Sequence, residues 1–398
     1  MTDFLVCVLA WQAAPGWGGC TFAVRSEKYN KERPYEVHLK FIHAVLANLF
    51  TLLLLTACGG GGGATGITGN AGLGGTVTNG VSITAANAPN VAAAVLNTLA
   101  AATGATAGAA SATPQITGVV VNPSGSRFSL PALLLGQLAR LPDLQYSTNS
   151  TGIVGAAVGL NQSCAISGSV LLSGVIADPN FMTLTDGDIL SASYFLCNEI
   201  GVLLDGDVDL VVENPVPLIY DGTPPYTIDL NTVFTALRAL DGVDYYYADG
   251  DMLVTIDDDS TGTGDIRMTL TGNALDTSYN NHDQLITANP ITTTPYFFDL
   301  SGNVNTGLYS FDFNGIVESR DIDGTVTFTT VTPFTGDENS GVEATAGELD
   351  AVSDLDNTKV KLIAQPDGIN VELRVDADAN GSFEITGIMR TWAELAAL

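Results

Sequence analysis

The sequence predicts a mainly β protein, an antiparallel meander forming a curved sheet, a sandwich or a barrel, with two N-terminal helices packed on it. Short apolar, β-branched segments recur from Ile153 onward, among them Cys164–Leu172, Ile189–Cys197 and Gly206–Val212. Apolar and polar residues alternate in Asp265–Thr271 and Tyr309–Phe313, as in strands with one buried and one wet face. Between such segments stand Asp186-Gly187, Asp205-Gly206, Asp241-Gly242, Asp249-Gly250, Ser301-Gly302, Asn314-Gly315 and Asp323-Gly324. Steps of this kind supply the positive φ of hairpin turns, and their near-regular spacing predicts a meander.

Taken in order, the chain opens with 36 residues that hold Cys7, Trp11, Trp17, Cys20 and a mixed-charge run, Arg25–Glu36. That composition does not suit the short basic start of an export signal, whereas Val37–Phe50, with Lys40 ahead of an apolar run, does. Residues 1–36 are therefore expected to be a mis-assigned extension, and residues 37–57 a signal peptide starting at Val37. The apolar run Ala44–Leu55 is 12 residues long. This is short of the roughly 20 that span a bilayer and within the range of a signal's apolar core.

The run ends in Leu55-Thr56-Ala57-Cys58, and Gly59–Gly63 follow at once. This pattern resembles the lipobox of bacterial lipoproteins. The resemblance implies cleavage before Cys58, a diacyl group on its sulfur and acylation of the new amino terminus. Because glycine rather than aspartate follows Cys58, the family rule implies the outer membrane, with the lipid anchor on Cys58 making the membrane the expected partner. Residues 58–81 then read as a Gly-rich tether, 82–145 as a helical segment, 146–336 as an antiparallel β domain and 337–398 as a C-terminal β unit continuous with it.

Five of the 14 Lys+Arg and four of the 43 Asp+Glu lie ahead of Cys58, which leaves 9 against 39 and a net charge of −30 for the expected mature chain. Such a surface repels phosphate backbones and anionic head groups, so nucleic acid is excluded as a partner and divalent cations are favoured.

In the helical segment, Ala85–Thr103 carries Asn87 or Asn90 as a cap and Pro89 in its first turn, with Val91, Val95, Leu96 and Leu99 on one face. A low-complexity linker, Ala100–Thr113, follows. Ile116–Asn122 predicts a strand, and Phe128–Leu141 a second helix with Pro131 near its start and Pro142 past its end. Leucines nearly encircle that helix, so it is expected either to be buried on more than one side, across a sheet or at a barrel end, or to lie on a membrane or a partner. Within the β region, Val233, Phe234, Leu237 and Leu240 fall at helical spacing and predict one short helix over Asn231–Leu240. Lys359–Ile363 and Ile369–Val375 predict a hairpin around Pro366-Asp367-Gly368, with Phe383–Trp392 pairing onward.

With Cys58 assigned to lipid and Cys7 and Cys20 upstream, Cys164 and Cys197 remain. In an exported chain such a pair reads as a disulfide, here closing a loop of about 34 residues. His282 is the one histidine after the signal, so a soft-ligand metal site lacks donors.

Asp376-Ala-Asp378-Ala-Asn380-Gly381-Ser-Phe-Glu384 is the sharpest local motif. It resembles the first half of an EF-hand-type calcium loop, with oxygen donors at positions 1, 3 and 5 and glycine at position 6. Position 12 is Gly387 rather than the bidentate glutamate, so Glu384 at position 9 serves only if the loop folds differently. Calcium is the cofactor this turn suggests, through Asp376, Asp378, Asn380 and Glu384. An acidic hairpin turn that binds nothing is the plainer reading. The segments around Cys164 and Cys197, this turn and the terminal Thr391–Leu395 are similar to uncharacterised all-β exported lipoproteins, a resemblance that implies no activity.

The sequence holds no Gly-x-Ser-x-Gly elbow, phosphate loop, dinucleotide fingerprint or His-Glu-x-x-His. Asp257-Asp258-Asp259 is the run from which a hydrolase would draw a carboxylate pair. The expectation is a non-catalytic structural, adhesive or binding module. The alternatives are a carrier of a lipid or other amphiphile in a curved-sheet cavity, and a carboxylate-pair hydrolase.

Overall fold

The computed structural model describes residues 80–103, 130–139, 157–178, 183–199, 202–216, 224–241, 244–279, 282–289, 294–396 and 398. Cys58 with its lipobox, the linker beyond residue 103 and the predicted strand Ile116–Asn122 lie outside them.

Two helices come first, α1 (Ala88–Thr103) and α2 (Leu130–Ala139). Sixteen strands follow: β1 (Ala157–Ser163), β2 (Ser167–Val175), β3 (Ile189–Glu199), β4 (Val202–Val216), β5 (Tyr226–Asp241), β6 (Asp244–Asp259), β7 (Asp265–Gly272) and β8 (Ala274–Tyr279). The second eight are β9 (His282–Thr287), β10 (Tyr296–Asn303), β11 (Leu308–Ser319), β12 (Gly324–Asp337), β13 (Ala346–Ser353), β14 (Lys359–Ala364), β15 (Asn370–Asp376) and β16 (Ile385–Thr391). A short helix, α3 (Trp392–Ala396), ends the fold.

All sixteen strands belong to one antiparallel sheet, in the order β1 to β7, then β10 to β16. The hairpin β8–β9 fills a fork. Tyr246–Gly250 of β6 pairs with β8, while Leu253–Asp259 pairs with β7. On the other side, β11 pairs with β10 through Tyr309–Asn314 and with β9 through Ile316–Ser319. Gly250 sits at the branch with φ +134°, and a Cβ there would lie 2.2 Å from the Ala274 carbonyl oxygen. Only glycine lets the two pairings meet at that point.

One face of the sheet is the core. Phe298 and Phe313 stack at 5.9 Å, Phe311 and Phe334 at 5.0 Å, and Trp392 meets Phe334 edge-on at 5.9 Å, which ties α3 to the sheet. Helix α1 lies against β8, β11, β13, β14, β15 and α3. Its predicted apolar face is wider than the sequence spacing suggests, because Ala88, Ala92, Ala93, Ala94, Thr98 and Ala102 are buried along with Val91, Val95 and Leu99. Small side chains let the backbones approach closely, and Gln284 of β9 donates from Nε2 to the Ala94 carbonyl at 2.9 Å. In α2, Leu130, Leu134 and Leu138 are buried.

The helix predicted over Asn231–Leu240 is instead part of β5. Leu230, Thr232 and Phe234 point inward, then a bulge at Ala236 (φ +49°) shifts the register between Phe234 and Leu237, after which Leu237 and Ala239 point inward. The extra residue turns a spacing of two into a spacing of three at that point, which imitates helical periodicity. The Asx-Gly steps also divide in role. Asp186-Gly187 and Asp323-Gly324 lie at turns, whereas Asp205-Gly206, Asp249-Gly250, Ser301-Gly302 and Asn314-Gly315 lie within β4, β6, β10 and β11. Strands consequently run longer than predicted, up to 16 residues in β5 and β6.

Candidate functional site

The acidic turn joins β15 to β16. Alternation buries Val371, Leu373 and Val375; Asp376, beside Val375 at the last ladder position, breaks that alternation, is fully shielded from solvent and faces Lys359 in register. Its carboxylate accepts from the amides of Asn380 (3.1 Å) and Gly381 (2.9 Å). Asp378 accepts from the Asn380 amide at 3.2 Å and from its side chain at 2.9 Å, and Asn380 Oδ1 accepts from the Ser382 amide at 2.8 Å. Ala379 (φ +57°) and Gly381 (φ +90°) take the left-handed conformation that wraps the backbone round these oxygens.

Glu384 closes the turn. Its Oε2 accepts from the Ala377 amide at 3.1 Å, and one oxygen each from Asp376, Asp378 and Glu384 lie within 4.8 Å of one another. The chain returns as strand β16 where an EF-hand would continue as helix, so position 9 reaches the site. Gly387, at position 12, lies on β16 and donates its amide to Glu372 Oε1 at 3.2 Å. The folding difference that a role for Glu384 requires is thus a strand in place of a helix. Hard oxygen donors gathered this closely suit calcium, whose ligands are carboxylates and carbonyls at about 2.3–2.6 Å.

Cys164 and Cys197 are joined, with Cα atoms 5.5 Å apart, and the bridge staples the β1–β2 turn to β3. Both half-cystines are buried. His282 pairs through Nδ1 with Asp321 Oδ2 at 2.8 Å. The run Asp257–Asp259 splits: Asp257 accepts from the Thr227 hydroxyl at 3.1 Å, Asp258 from the Ser260 amide at 2.9 Å, and Asp259 from the Thr263 amide at 3.1 Å.

Asp257 and Asp259 belong to a groove of about 800 Å³ that crosses five neighbouring strands. Register sets Thr227, Asp257, Arg267, Ser301 and Ser310 in one row across β5, β6, β7, β10 and β11, with Asp259, Asp265 and Asn303 in the next. Arg267 is held by Asp299 in a bidentate pair, at 2.9 and 2.5 Å. Hydrogen bonds from Asn303 and Thr263 hold the Asp265 carboxyl below its usual range. Burial and the nearby Asp258 push the Tyr226 phenol up to about 12. Apart from the Asp257–Asp259 run, sequence reading missed these residues, since each strand contributes only one or two of them.

Compared with protein-family models, curated proteins and solved structures, the chain gives no match.

Proposed function

We propose that this chain is an exported, lipid-anchored β domain that acts at the outer membrane as a non-catalytic structural, adhesive or binding module. The observation that carries the reading is the Cys164–Cys197 bridge, a buried staple of the kind that forms and persists in oxidising compartments. Export accounts for the bridge, and the lipobox resemblance accounts for export, with Cys58 as the acylated residue and the membrane as the partner. The finer architecture belongs to the same proposal: a curved sheet closed over two N-terminal helices, with calcium held by Asp376, Asp378, Asn380 and Glu384. Dense packing favours this reading over an amphiphile carrier, because α1 and the aromatic cluster fill the inner face with side chains of almost no exposure.

The test is metabolic labelling with palmitate in a Gram-negative host. Wild-type chain should take up label and be shortened to begin at Cys58, while Cys58→Ser should accumulate as unlabelled precursor. Cleavage of Cys58→Ser at the same bond would end the lipoprotein reading.

A further inference from the structure

We propose that the groove across β5, β6, β7, β10 and β11 binds a neutral, hydroxyl-rich chain, a segment of oligo- or polysaccharide, laid perpendicular to the strands. The proposal rests on the non-catalytic binding reading above and names its ligand class. Five strands at about 4.8 Å spacing give a floor about 19 Å long, which suits a short oligosaccharide.

The floor is chemically mixed. Thr227, Ser301 and Ser310 offer hydroxyls that donate and accept, Asp257 and Asp265 only accept, and Asn303 does both. Sugar hydroxyls donate and accept in the same way, so a polyol can satisfy all six of these groups. Fixed acceptors matter here: Asp257 is oriented by Thr227, and Asp265 by the Asn303 side chain at 2.7 Å. At opposite ends of the groove, Val216 and Leu308 are 63% and 58% exposed. They present apolar surface to the C–H faces of a sugar ring.

Charge narrows the choice. An anionic ligand would meet Asp257, Asp259 and Asp265 with only Arg267 in reach, and Asp299 already engages that guanidinium. A bare divalent ion would need converging carboxylates. Among the described residues, three such oxygens within 4.8 Å of one another occur at Asp376, Asp378 and Glu384 instead. The groove also lies at the Leu308 end of β11, whereas residues 80 and 81 pack on Leu355 and Gly324 at the other end. Along the 12 residues of β11 the two ends stand about 36 Å apart.

The experiment is calorimetric titration of the purified full chain with neutral hexasaccharides of glucose, galactose, mannose and N-acetylglucosamine, beside heptalysine. At least one hexasaccharide should bind, with an affinity insensitive to salt. Ser301→Trp, which fills the floor, and the milder Asp257→Asn should each weaken that binding at least about tenfold. Val331→Trp, on β12 and away from the groove, should bind as wild type does. The proposal is overturned if no hexasaccharide binds, or if Ser301→Trp and Asp257→Asn both bind as tightly as wild type. It is also overturned if heptalysine takes the groove with an affinity that collapses in salt, since that marks a site for basic peptide. The mass of Cys58 is read separately, so loss of sugar binding and loss of the lipid anchor are distinguishable.

Discussion

The backbone amide of Ile83 donates to the hydroxyl of Thr358, 275 positions later, across 2.7 Å in a buried setting. The same hydroxyl donates onward to Asp356 at 2.7 Å, so one side chain links the segment ahead of α1 to the β13–β14 turn. Ile83 itself is fully buried, and the segment also carries Val81 against Gly324. Where this segment meets the sheet, a single hydroxyl satisfies an amide that has no ladder partner.

Thr358→Val keeps the shape and removes the acceptor. An unsatisfied buried amide costs about 1–3 kcal/mol, so urea midpoints should fall accordingly. Thr358→Ser, which restores the hydroxyl, should recover most of that loss. Equal midpoints for the valine variant and wild type would show that the contact contributes nothing to stability.

Acid should act on the same turn. Burial raises the Asp356 carboxyl, but hydrogen bonds from Ser82, Thr358 and Ser353 outweigh it and bring the group down from 3.8 to about 2. Because the folded value lies below the unfolded one, the stability it supplies is complete above about pH 4 and lost as pH falls towards 2. The side chain is partly exposed, so screening reduces the contribution to about 1 kcal/mol. Asp356→Asn should be less stable than wild type at neutral pH and lose less between pH 4 and pH 2, as read from melting curves.

The β5 bulge makes its own prediction. Ala236 adopts φ +49°, and a Cβ at Gly206 on the neighbouring strand would lie 2.4 Å from the Ala236 oxygen. Ala236→Gly should raise stability by a few tenths to about 1 kcal/mol by relieving the left-handed conformation. Gly206→Ala should lower it by more than about 1 kcal/mol, since both φ and space forbid the methyl. Chemical denaturation of the two variants decides the matter.

That bulge also marks where sequence reading stops. Strands such as β7 and β11 were legible because alternation is a local property, and the Pro366–Gly368 turn because its residues are contiguous. Whether Leu237 continues a strand or opens a helix depends on the partner strand that accepts the extra residue, which no local period encodes. The same holds for glycines: Asn314-Gly315 and Asp323-Gly324 look alike in sequence, yet one lies inside β11 and the other at a turn. At the candidate site, Asp376, Asp378 and Asn380 were legible from spacing alone. Glu384, at position 9, entered only on the condition that the loop folds differently from an EF-hand, because its approach requires β16 to turn back immediately.

Breaking the disulfide should be costly in proportion to the loop it closes. Cys164 and Cys197 are 33 positions apart, so replacing both with alanine should cost about 3–4 kcal/mol by loop entropy. A thiol-reactive mass tag on denatured, unreduced protein should add nothing at either position, and two tags after reduction. Two tags before reduction would mean the bridge does not form.

Calcium gives the last prediction. Three carboxylates within 4.8 Å repel one another unless a cation sits between them, so ion binding should stabilise the β15–β16 hairpin. Stabilisation should rise with the logarithm of free calcium, reaching about 2.7 kcal/mol at a hundred times the dissociation constant. Ionic strength must be fixed, because monovalent salt also relieves the repulsion of a chain carrying 39 acidic against 9 basic residues after Cys58. Glu384→Gln and Asp378→Asn should each remove most of the calcium response while leaving the sodium response intact. Gly387→Ala separates this geometry from that of an EF-hand: its φ of +77° makes alanine strained, so the baseline midpoint should fall. Its calcium response should nevertheless persist, because position 12 lies outside the site. If matched sodium stabilises the wild type as much as calcium does, or if Glu384→Gln responds as wild type does, the turn holds no ion, and the hydrogen bonds from the amides of Ala377, Asn380 and Gly381 and from the Asn380 side chain suffice for these carboxylates.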